Sequence, residues 1–460
     1  MRLKKLPLGK QTLRDIINDD MLYIDKTKIA LDLIESYTYT FLSRPRRFGK
    51  SLFVSTLREI FEGNKEIFKD LYIYDKWDWS VKYPVIDIDF SGDMRSPEAL
   101  KRTILAILKN NQEDLEIKCS DTEEYANCFE ELIKKTYKKY NQKVVILIDE
   151  YDKGILDNLD QIEIADQNRE ILRSFYSKMK TNDKYIKFVF ITGVSRFAKA
   201  SIFSGLNMLK DISLQSQYGE ICGYTQNDIE TTLLPYLEGV DLDELKEWYD
   251  GYNFLGKNLY NPYGILLFID GDKMYKNYWF GTATPTFLIK LIKQQNYFLP
   301  KLGNTKVGEE ILDSFDTNKM KFEIVLFQAG YLTIEKEIKK RRGGFEYHLK
   351  VPNKEVQIAL NDSIINNVIK QPNRKSEYQD SLYDALYDAN LEDFRDTLIS
   401  IFASIPYNNY TNNDIAHFEG FYATVIYVYL ASLGIEIVGE AVTNRGRIDL
   451  TVKLNTNIFI

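Results

Sequence analysis

The segment RPRRFGKS (Arg44–Ser51) joins an apolar run that predicts a strand, YTYTFLS, to an amphipathic run that predicts a helix, GKSLFVSTLREIFEG. A phosphate-binding loop belongs between a strand and a helix, because backbone N–H groups of the loop and of the helix N-terminus then face the phosphates. Gly49 permits close approach of the backbone, Lys50 would reach the β- and γ-phosphates, and the Ser51 hydroxyl would bind Mg²⁺. The segment therefore predicts a Walker A motif.

The start of this loop departs from the usual pattern. Arg44 stands where GxxxxGK[ST] has its first glycine, and Pro45 follows it. Proline fixes its own φ and favours an extended conformation at the residue before it, so the first turn must differ from the standard one. We expect Arg46 or Arg47 to add positive charge near the phosphates. The alternative is that GKS is a chance tripeptide at the start of a helix.

A second stretch, KVVILIDE (Lys143–Glu150), favours a phosphate site at GKS over a chance occurrence of that tripeptide. Its near-continuous apolar run predicts a strand buried on both faces of a parallel sheet. Ligands of open α/β sheets bind at the carboxyl ends of the strands, where Asp149 and Glu150 stand. We expect Asp149 to hold the Mg²⁺ shell and Glu150 to orient or deprotonate the water that attacks ATP. The competing interpretation is that both carboxylates merely cap the next helix.

Further apolar runs over 83–91 and 187–193 alternate with helical periodicity, which predicts an α/β fold with a doubly wound parallel sheet. The last of these runs ends in Thr192, and Ser195 and Arg196 follow. This is the place for a polar sensor of the γ-phosphate beside the Walker B strand, with Arg196 as an arginine finger acting in cis. The alternative is a turn that caps the next helix.

The second half of the chain reads as mostly helical, with a hairpin near its middle. The runs YLTIEKEI and FEYHLKV flank KKRRGG, and Gly343 and Gly344 suit the turn. Helices before a hairpin predict a winged-helix-like module. The basic tip Lys339–Arg342 would contact a DNA backbone, or it is simply a solvated turn. The aromatic cluster within Trp248–Phe254 either stacks on a base or packs a helical lid against its neighbour.

Composition limits the class of protein. The chain has 460 residues and a net charge of −7, so nucleic-acid contact would need a local basic patch. Three cysteines without metal-ligand spacing indicate a reduced cytosol rather than a disulfide framework. The N-terminus lacks the apolar core of a secretory signal, and no apolar run approaches the ~20 residues that cross a bilayer. We expect a cytoplasmic protein without a membrane segment.

A longer series of motifs resembles one known family. In order along the chain these motifs are DKT (25–27), RPRRFGKS (44–51), ILIDEYD (146–152), TGVSRFAKASIFSGLN (192–207), WYDGYNF (248–254), YNPYGI (260–265), AGYLTI (329–334) and VPNKEV (351–356). The series resembles the bacterial AAA-ATPase-like family whose C-terminus carries a PD-(D/E)XK nuclease-like domain. The resemblance implies an ATPase module joined to a nuclease-like fold, with ATP and Mg²⁺ as ligands. The arginine at the start of the loop is then the family's own form of the motif.

The nuclease-like residues can be placed by the same resemblance. Glu419 falls near the start of a predicted helix, and Asp449 falls on a predicted strand. A PD-(D/E)XK site uses such carboxylates, with an acid and a lysine on the next strand, to bind a divalent metal and activate water. That strand would begin at NIFI, where the sequence ends at Ile460. We therefore expect an incomplete domain, with Glu419 and Asp449 as remnants and without nuclease activity.

These patterns divide the chain into three predicted regions: an ATPase core over 1–224, a helical lid and winged-helix-like region over 225–370, and the incomplete nuclease-like domain over 371–460. The predicted function is an ATP-binding, Mg²⁺-dependent hydrolytic switch coupled to the nuclease-like domain. The alternative is a regulator or scaffold that binds nucleotide without hydrolysing it and acts through a protein or DNA partner. An active DNA nuclease would require residues beyond Ile460.

Overall fold

The computed structural model describes residues 3–159, 161–196, 202–203, 206, 208–279, 305–309, 322–366, 374–404, 419–443 and 446–460. The elements of the first part of the chain alternate between strands and helices. They are α1 (Leu13–Asn18), α2 (Thr27–Ser36), β1 (Tyr39–Ser43), α3 (Lys50–Phe61), β2 (Val85–Asp89), α4 (Pro97–Asp114), α5 (Tyr125–Tyr140), β3 (Val144–Asp149), α6 (Lys153–Leu156), α7 (Ile162–Thr181), β4 (Ile186–Gly193) and β5 (Lys210–Asp211).

The elements that follow are mostly helical around short strands. They are β6 (Tyr224–Thr225), α8 (Gln226–Asp228), α9 (Leu242–Tyr249), β7 (Leu259–Tyr260), α10 (Pro262–Asp270), β8 (Thr305–Val307), α11 (Phe322–Ala329), β9 (Thr333–Lys339), β10 (Phe345–Lys350), α12 (Lys354–Ile364), α13 (Lys375–Tyr387), α14 (Leu391–Ser404), α15 (Glu419–Ala431), β11 (Glu436–Thr443), β12 (Gly446–Leu454) and β13 (Asn457–Phe459). Short 3₁₀ or π turns cover Lys65–Phe68, Asp183–Tyr185, Ser216–Tyr218, Ile229–Leu233 and Leu234–Tyr236.

Five of the described strands form a parallel sheet in the order β2-β3-β4-β1-β5. Successive residues of a strand point to opposite faces, and both faces of this sheet are covered. On β3, Leu147 faces the core that contains Phe53 and Leu57 of α3, whereas Ile146 faces the core that contains Phe129 of α5. The predicted doubly wound parallel sheet is confirmed.

The strand order brings the carboxyl ends of three motif-bearing strands to one edge. Strand β4 lies between β1, which leads into the phosphate loop, and β3, which carries the acidic pair. Leu42 is in register with Thr192, and Asp89 of β2 is in register with Asp149 of β3. The three segments predicted to bind nucleotide therefore converge at one sheet edge.

The predicted hairpin is also confirmed. Strands β9 and β10 pair antiparallel, and β8 extends them to a three-stranded sheet in the order β8-β10-β9. Gly343 and Gly344 take positive φ values of 87° and 79°, a conformation that side chains with a Cβ rarely adopt. Towards the end of the chain, β11, β12 and β13 form a separate antiparallel sheet, and α15 contacts β11.

One pairing of cysteines was not predicted from the sequence. Cys119 and Cys128 are paired as a disulfide that joins the loop after α4 to the first turns of α5. Their spacing of nine residues matches no common motif, so only the fold, which places the loop against the helix, brings the two residues together. Cys222 is free and buried. Among the described residues, no helix combines the length and the apolar character needed to cross a membrane.

Candidate nucleotide site

The segment over 44–51 folds as a loop that ends at the N-terminus of α3. Gly49 is the N-cap of this helix with φ of +92°, and a Cβ placed on it would have no atom within 4 Å, so the loop leaves open space there. Lys50 is 8% exposed, and its ammonium donates to the carbonyl oxygens of Arg44 at 3.1 Å and Pro45 at 3.0 Å. The lysine side chain therefore lies inside the loop, in the place where phosphate oxygens would bind.

Arg44 has a structural role in place of the usual glycine. Its side chain is 1% exposed, and the guanidinium donates to the carbonyls of Ser213 at 2.7 Å and Tyr218 at 3.1 Å. It also lies over the ring of Phe254, 4.1 Å from the centroid. Five N–H donors in a planar fork suit one side chain to several carbonyls at once. Arg44 thus ties the start of the loop to segments far along the chain.

The predicted aromatic cluster packs against the phosphate loop rather than facing solvent. Phe48 is buried between the rings of Tyr252 and Phe254, with centroid distances of 4.8 Å and 5.8 Å in edge-to-face geometry. The other aromatic members, Trp248 and Tyr249, stack on Tyr275. Edge-to-face and offset contacts of this kind are favourable packing. Of the two predicted roles for this cluster, the described contacts fit packing.

Arg46 and Arg47 are exposed, and the addition of their positive charge near the phosphates stays a prediction. The Arg47 guanidinium lies 4.7 Å from the centroid of the Tyr263 ring. The carbonyl oxygen of Arg46 accepts hydrogen bonds from Asn261 at 3.4 Å and from the indole N–H of Trp279 at 3.2 Å. Two side chains that lie more than two hundred positions later in the chain therefore hydrogen-bond to the loop backbone.

The acidic pair lies at the carboxyl end of β3, as predicted. Asp149 is 5% exposed and accepts a hydrogen bond from the backbone N–H of Glu150 at 2.8 Å. Burial, reinforced by the Asp149 charge and opposed by Lys50, raises the pKa of Glu150 above its ordinary value. Burial also lowers the pKa of Lys50, an effect that Asp149 opposes. A carboxylate with a raised pKa is suited to accept a proton near neutral pH.

A cavity of about 460 Å³ opens beside α3, and both predicted Mg²⁺ residues, Ser51 and Asp149, line it. Asp89 lines it too, and burial followed by the Asp149 charge raises the pKa of Asp89. Asp87 also lines the cavity and accepts a hydrogen bond from Arg58 at 3.1 Å. Within the described ranges, no three His, Cys, Asp or Glu side chains form a metal cluster. The set fits Mg²⁺ that takes its other ligands from phosphate and water.

Asp152 is a site residue that the sequence did not single out. Its carboxylate is 1% exposed and accepts hydrogen bonds from the hydroxyl and the backbone N–H of Ser195 and from the N–H of Val194. It thereby joins the end of β3 to the end of β4. Burial raises its pKa, and these hydrogen bonds oppose that shift. The signal was the third acid of ILIDEYD, three residues after Asp149.

The predicted sensor residues are engaged by protein groups. The Thr192 hydroxyl donates to the carbonyl of Leu42 on the neighbouring strand at 2.9 Å. Arg196 is 7% exposed, and its guanidinium donates to Asp211 at 2.6 Å and 3.1 Å. Its backbone N–H donates to the side chain of Gln328. The roles of Thr192 and Arg196 at the γ-phosphate stay predictions, because both side chains bind elsewhere in this state.

The remaining predicted residues lie away from the phosphate loop. Glu419 begins α15 and Asp449 belongs to β12, as the sequence predicted, but the side chains of both lie outside the described part of the chain. At the hairpin tip, Arg341 and Arg342 are exposed, whereas Lys340 forms an ion pair with Glu346 at 3.3 Å. Contact of this tip with DNA stays a prediction.

Comparison with known proteins agrees with this architecture. The family model described as a predicted AAA-ATPase matches residues 7–203, and the model of the PD-(D/E)XK nuclease superfamily matches residues 417–460. The chain is 42% identical over 462 aligned residues to an "Uncharacterized protein in vnfD 5'region" of Azotobacter chroococcum mcd 1, an alignment that covers 100% of this chain and 89% of that protein. The chain therefore belongs to the predicted AAA-ATPase family that carries a C-terminal segment of the PD-(D/E)XK nuclease superfamily.

Proposed function

We propose that the chain binds ATP together with Mg²⁺, hydrolyses the ATP, and uses the presence of the γ-phosphate to reposition its later segments and the nuclease-like domain. One observation carries the proposal: the parallel sheet brings Lys50 and Ser51 of the phosphate loop to the same edge as Asp149 and Glu150. Cation, hydroxyl and paired carboxylates are the set that phosphoryl transfer to water needs.

Each residue then has a distinct task. Lys50 would exchange the carbonyls of Arg44 and Pro45 for phosphate oxygens, which bring more negative charge to its buried ammonium. The Ser51 hydroxyl and Asp149 would hold Mg²⁺, which when bound neutralises charge that develops on the phosphates. Glu150, with its raised pKa, would take the proton of the attacking water.

A second candidate function is a nucleotide-dependent regulator that does not turn over ATP. The observation that favours it is the engagement of Thr192 by Leu42 and of Arg196 by Asp211. If these contacts persist when nucleotide binds, the γ-phosphate lacks its sensor and its arginine, and an arginine finger alone contributes roughly 10³-fold or more to hydrolysis. Binding would then be retained while turnover stays negligible.

Phosphate release and nucleotide binding by the purified full chain separate the two functions. We expect Mg²⁺-dependent turnover in the unaltered protein, loss of binding in Lys50→Ala, and roughly 10²- to 10⁴-fold slower turnover with retained binding in Glu150→Gln. Glu163→Gln, the same change on the exposed start of α7, is the matched control and should behave as wild type. Tight binding without turnover would support the regulator. Absence of binding in the wild type would refute both.

A further inference from the structure

Three consecutive carbonyl groups of the phosphate loop are held by side chains. Lys50 binds the carbonyls of Arg44 and Pro45, and the next carbonyl, that of Arg46, accepts the indole N–H of Trp279 at 3.2 Å. Any nucleotide that draws Lys50 towards phosphate releases the first two carbonyls. Neighbouring peptide planes are joined by only two soft dihedrals, φ and ψ. A rotation of the peptide groups that carry the Arg44 and Pro45 carbonyls would therefore also reorient the carbonyl of Arg46.

Trp279 is held in turn by a buried carboxylate on α12. One oxygen of Glu355 accepts the backbone N–H groups of both Tyr278 and Trp279, each at 2.7 Å. Glu355 is 0% exposed, and in the part of the chain that is described its second oxygen has no hydrogen-bond partner. Burying a carboxylate is costly, and its removal would take the shared acceptor away from both backbone N–H groups. Glu355 thus ties the tryptophan backbone to the first turn of α12.

The ring of Trp279 fits tightly between Glu355 and the loop. It is 1% exposed and packs edge-on against Tyr331, with centroids 5.3 Å apart. A Cβ placed on Gly330 would lie 2.8 Å from Pro45 and 3.3 Å from Trp279, so no slack separates the loop from the tryptophan. Close-packed contacts of this kind transmit displacement rather than absorb it.

The same helix, α12, reaches the nuclease-like domain. Helix α12 packs against α15, which lies in the segment that matches the nuclease superfamily, and Val356 and Leu360 share one core with Val425 and Val428. Asn353, at the same end of α12 as Glu355, caps the helix and also donates to the carbonyl of Asp250. Movement of this end would be passed along the helix to α15.

We propose that Trp279 and Glu355 form a relay that reports the state of the phosphate loop to α12 and through it to the nuclease-like domain. The inference rests on the proposed nucleotide-dependent switch and names its mechanical link. Trp279 and Glu355 are positioning residues in this relay. Coupling between distant sites requires a packed chain of contacts with two discrete arrangements. A ligand at one end must shift the equilibrium between these arrangements.

Amide hydrogen exchange of the full chain, with and without a non-hydrolysable ATP analogue and Mg²⁺, tests the relay. In the wild type, we expect nucleotide to change exchange over both 44–50 and 354–364. In Trp279→Phe, which keeps an aromatic six-membered ring and removes the indole N–H together with the five-membered part of the indole, the change over 354–364 should be lost while nucleotide still binds. Because the deleted hydrogen bond contributes modestly, affinity should weaken by roughly threefold to tenfold at most.

Two control variants make the result specific. Trp77→Phe removes another indole N–H, one without a hydrogen-bond partner in the described chain, and it should leave every peptide at the wild-type exchange rate. Glu355→Gln keeps an acceptor oxygen and should retain the relay, whereas Glu355→Ala should break it. Rescue by glutamine separates positioning of Trp279 from a general loss of packing.

The comparison without nucleotide decides the relay independently of the proposed function. In the absence of any ligand, Glu355→Ala should speed exchange over 44–50, which is more than three hundred residues distant in sequence, as well as over 276–279. If Glu355→Ala and Trp279→Phe leave 44–50 unchanged, the relay is wrong whether or not ATP binds. If nucleotide binds but leaves 354–364 unchanged in the wild type, the relay is equally wrong and the proposed ATPase stands.

Discussion

Replacing Arg44 by glycine restores the usual first residue of a Walker A motif, yet we expect the substitution to destabilise the protein. The side chain is buried and bonds two carbonyls of a distant segment, those of Ser213 at 2.7 Å and Tyr218 at 3.1 Å. It also stacks on Phe254. Glycine would leave both carbonyls without these donors and would open a cavity between the loop and that segment.

The magnitude follows from opposing contributions. Hydrogen bonds from a charged donor stabilise by about 1.5–3 kcal/mol each, and the stacked guanidinium adds about 1–2 kcal/mol. Against this, burial lowers the pKa of Arg44 from its ordinary 12.5 to about 10, which corresponds to a cost of about 3 kcal/mol for keeping the charge. The cavity left by the deletion adds to the loss. We expect Arg44→Gly to lower the free energy of unfolding by about 3 kcal/mol.

Thermal unfolding of the full chain measures this loss, which we expect as a decrease of about 5–10 °C in the midpoint of the ATPase unfolding transition. Arg46→Gly is the matched control, since the same change is made two residues later at an exposed side chain, and it should cost about 1 kcal/mol or less. Arg44→Lys should fall between them, because an ammonium cannot reach separate carbonyls as a planar fork does. A glycine variant as stable as Arg46→Gly would refute the reasoning.

Three further predictions follow from buried polar groups. Burial raises the pKa of Glu355 from 4.5 to about 7, so the folded chain binds more protons than the unfolded chain between these values, and the free energy of unfolding should fall by about 3 kcal/mol as pH rises through that window. Urea unfolding at about pH 5 and about pH 8 should show a fall that is larger by about 2–3 kcal/mol in the wild type than in Glu355→Gln, because carboxylates such as Glu150 and Asp152 have raised pKa values in both proteins. Equal falls would contradict the prediction. Arg196→Ala should cost about 3 kcal/mol by removing the cation that pairs with the mostly buried carboxylate of Asp211, and adding Asp211→Ala should recover part of the loss, whereas an additive double-mutant cycle would refute the pairing. Thr192→Val should cost about 1 kcal/mol through the lost bond to Leu42 and leave turnover near wild type; a hundredfold loss of turnover, roughly what a catalytic contact supplies, would instead support the sensor role.

Local patterns were sufficient for the parts of the site that lie within one strand–loop–helix unit. The apolar runs before Arg44 and Asp149 fixed two buried strands, and Gly49 marked the helix start, because periodicity and turn chemistry act over a few residues. The same reason explains the hairpin, whose Gly343 and Gly344 stand between two alternating runs. The residues that determine each of these features are close neighbours in the sequence.

Contacts between distant segments could not be predicted in this way. Asp152 binds Ser195 only because β4 lies beside β3 in the sheet, and nothing in either strand states which strand becomes its neighbour. The partners of Arg44 lie about 170 residues away, so the sequence showed the departure from the glycine pattern without the reason for it. The sequence therefore carried no local signal for the residues that join distant elements, and only the fold shows which partners they bind.

These distant contacts also bear on where the AAA-ATPase-like domain ends. The family model stops at residue 203 and the predicted core at 224, a boundary that stays a prediction. Yet Asn261 and Trp279 hold the carbonyl of Arg46, and Gly330 packs on Pro45 at a distance that excludes even a Cβ. The conformation of the phosphate loop is consequently set by two regions of the chain at once. If the proposed function holds, a nucleotide that reshapes the loop would have to move the second region or break its contacts, and the energy of binding would then be available to move the segments that lead to the nuclease-like domain.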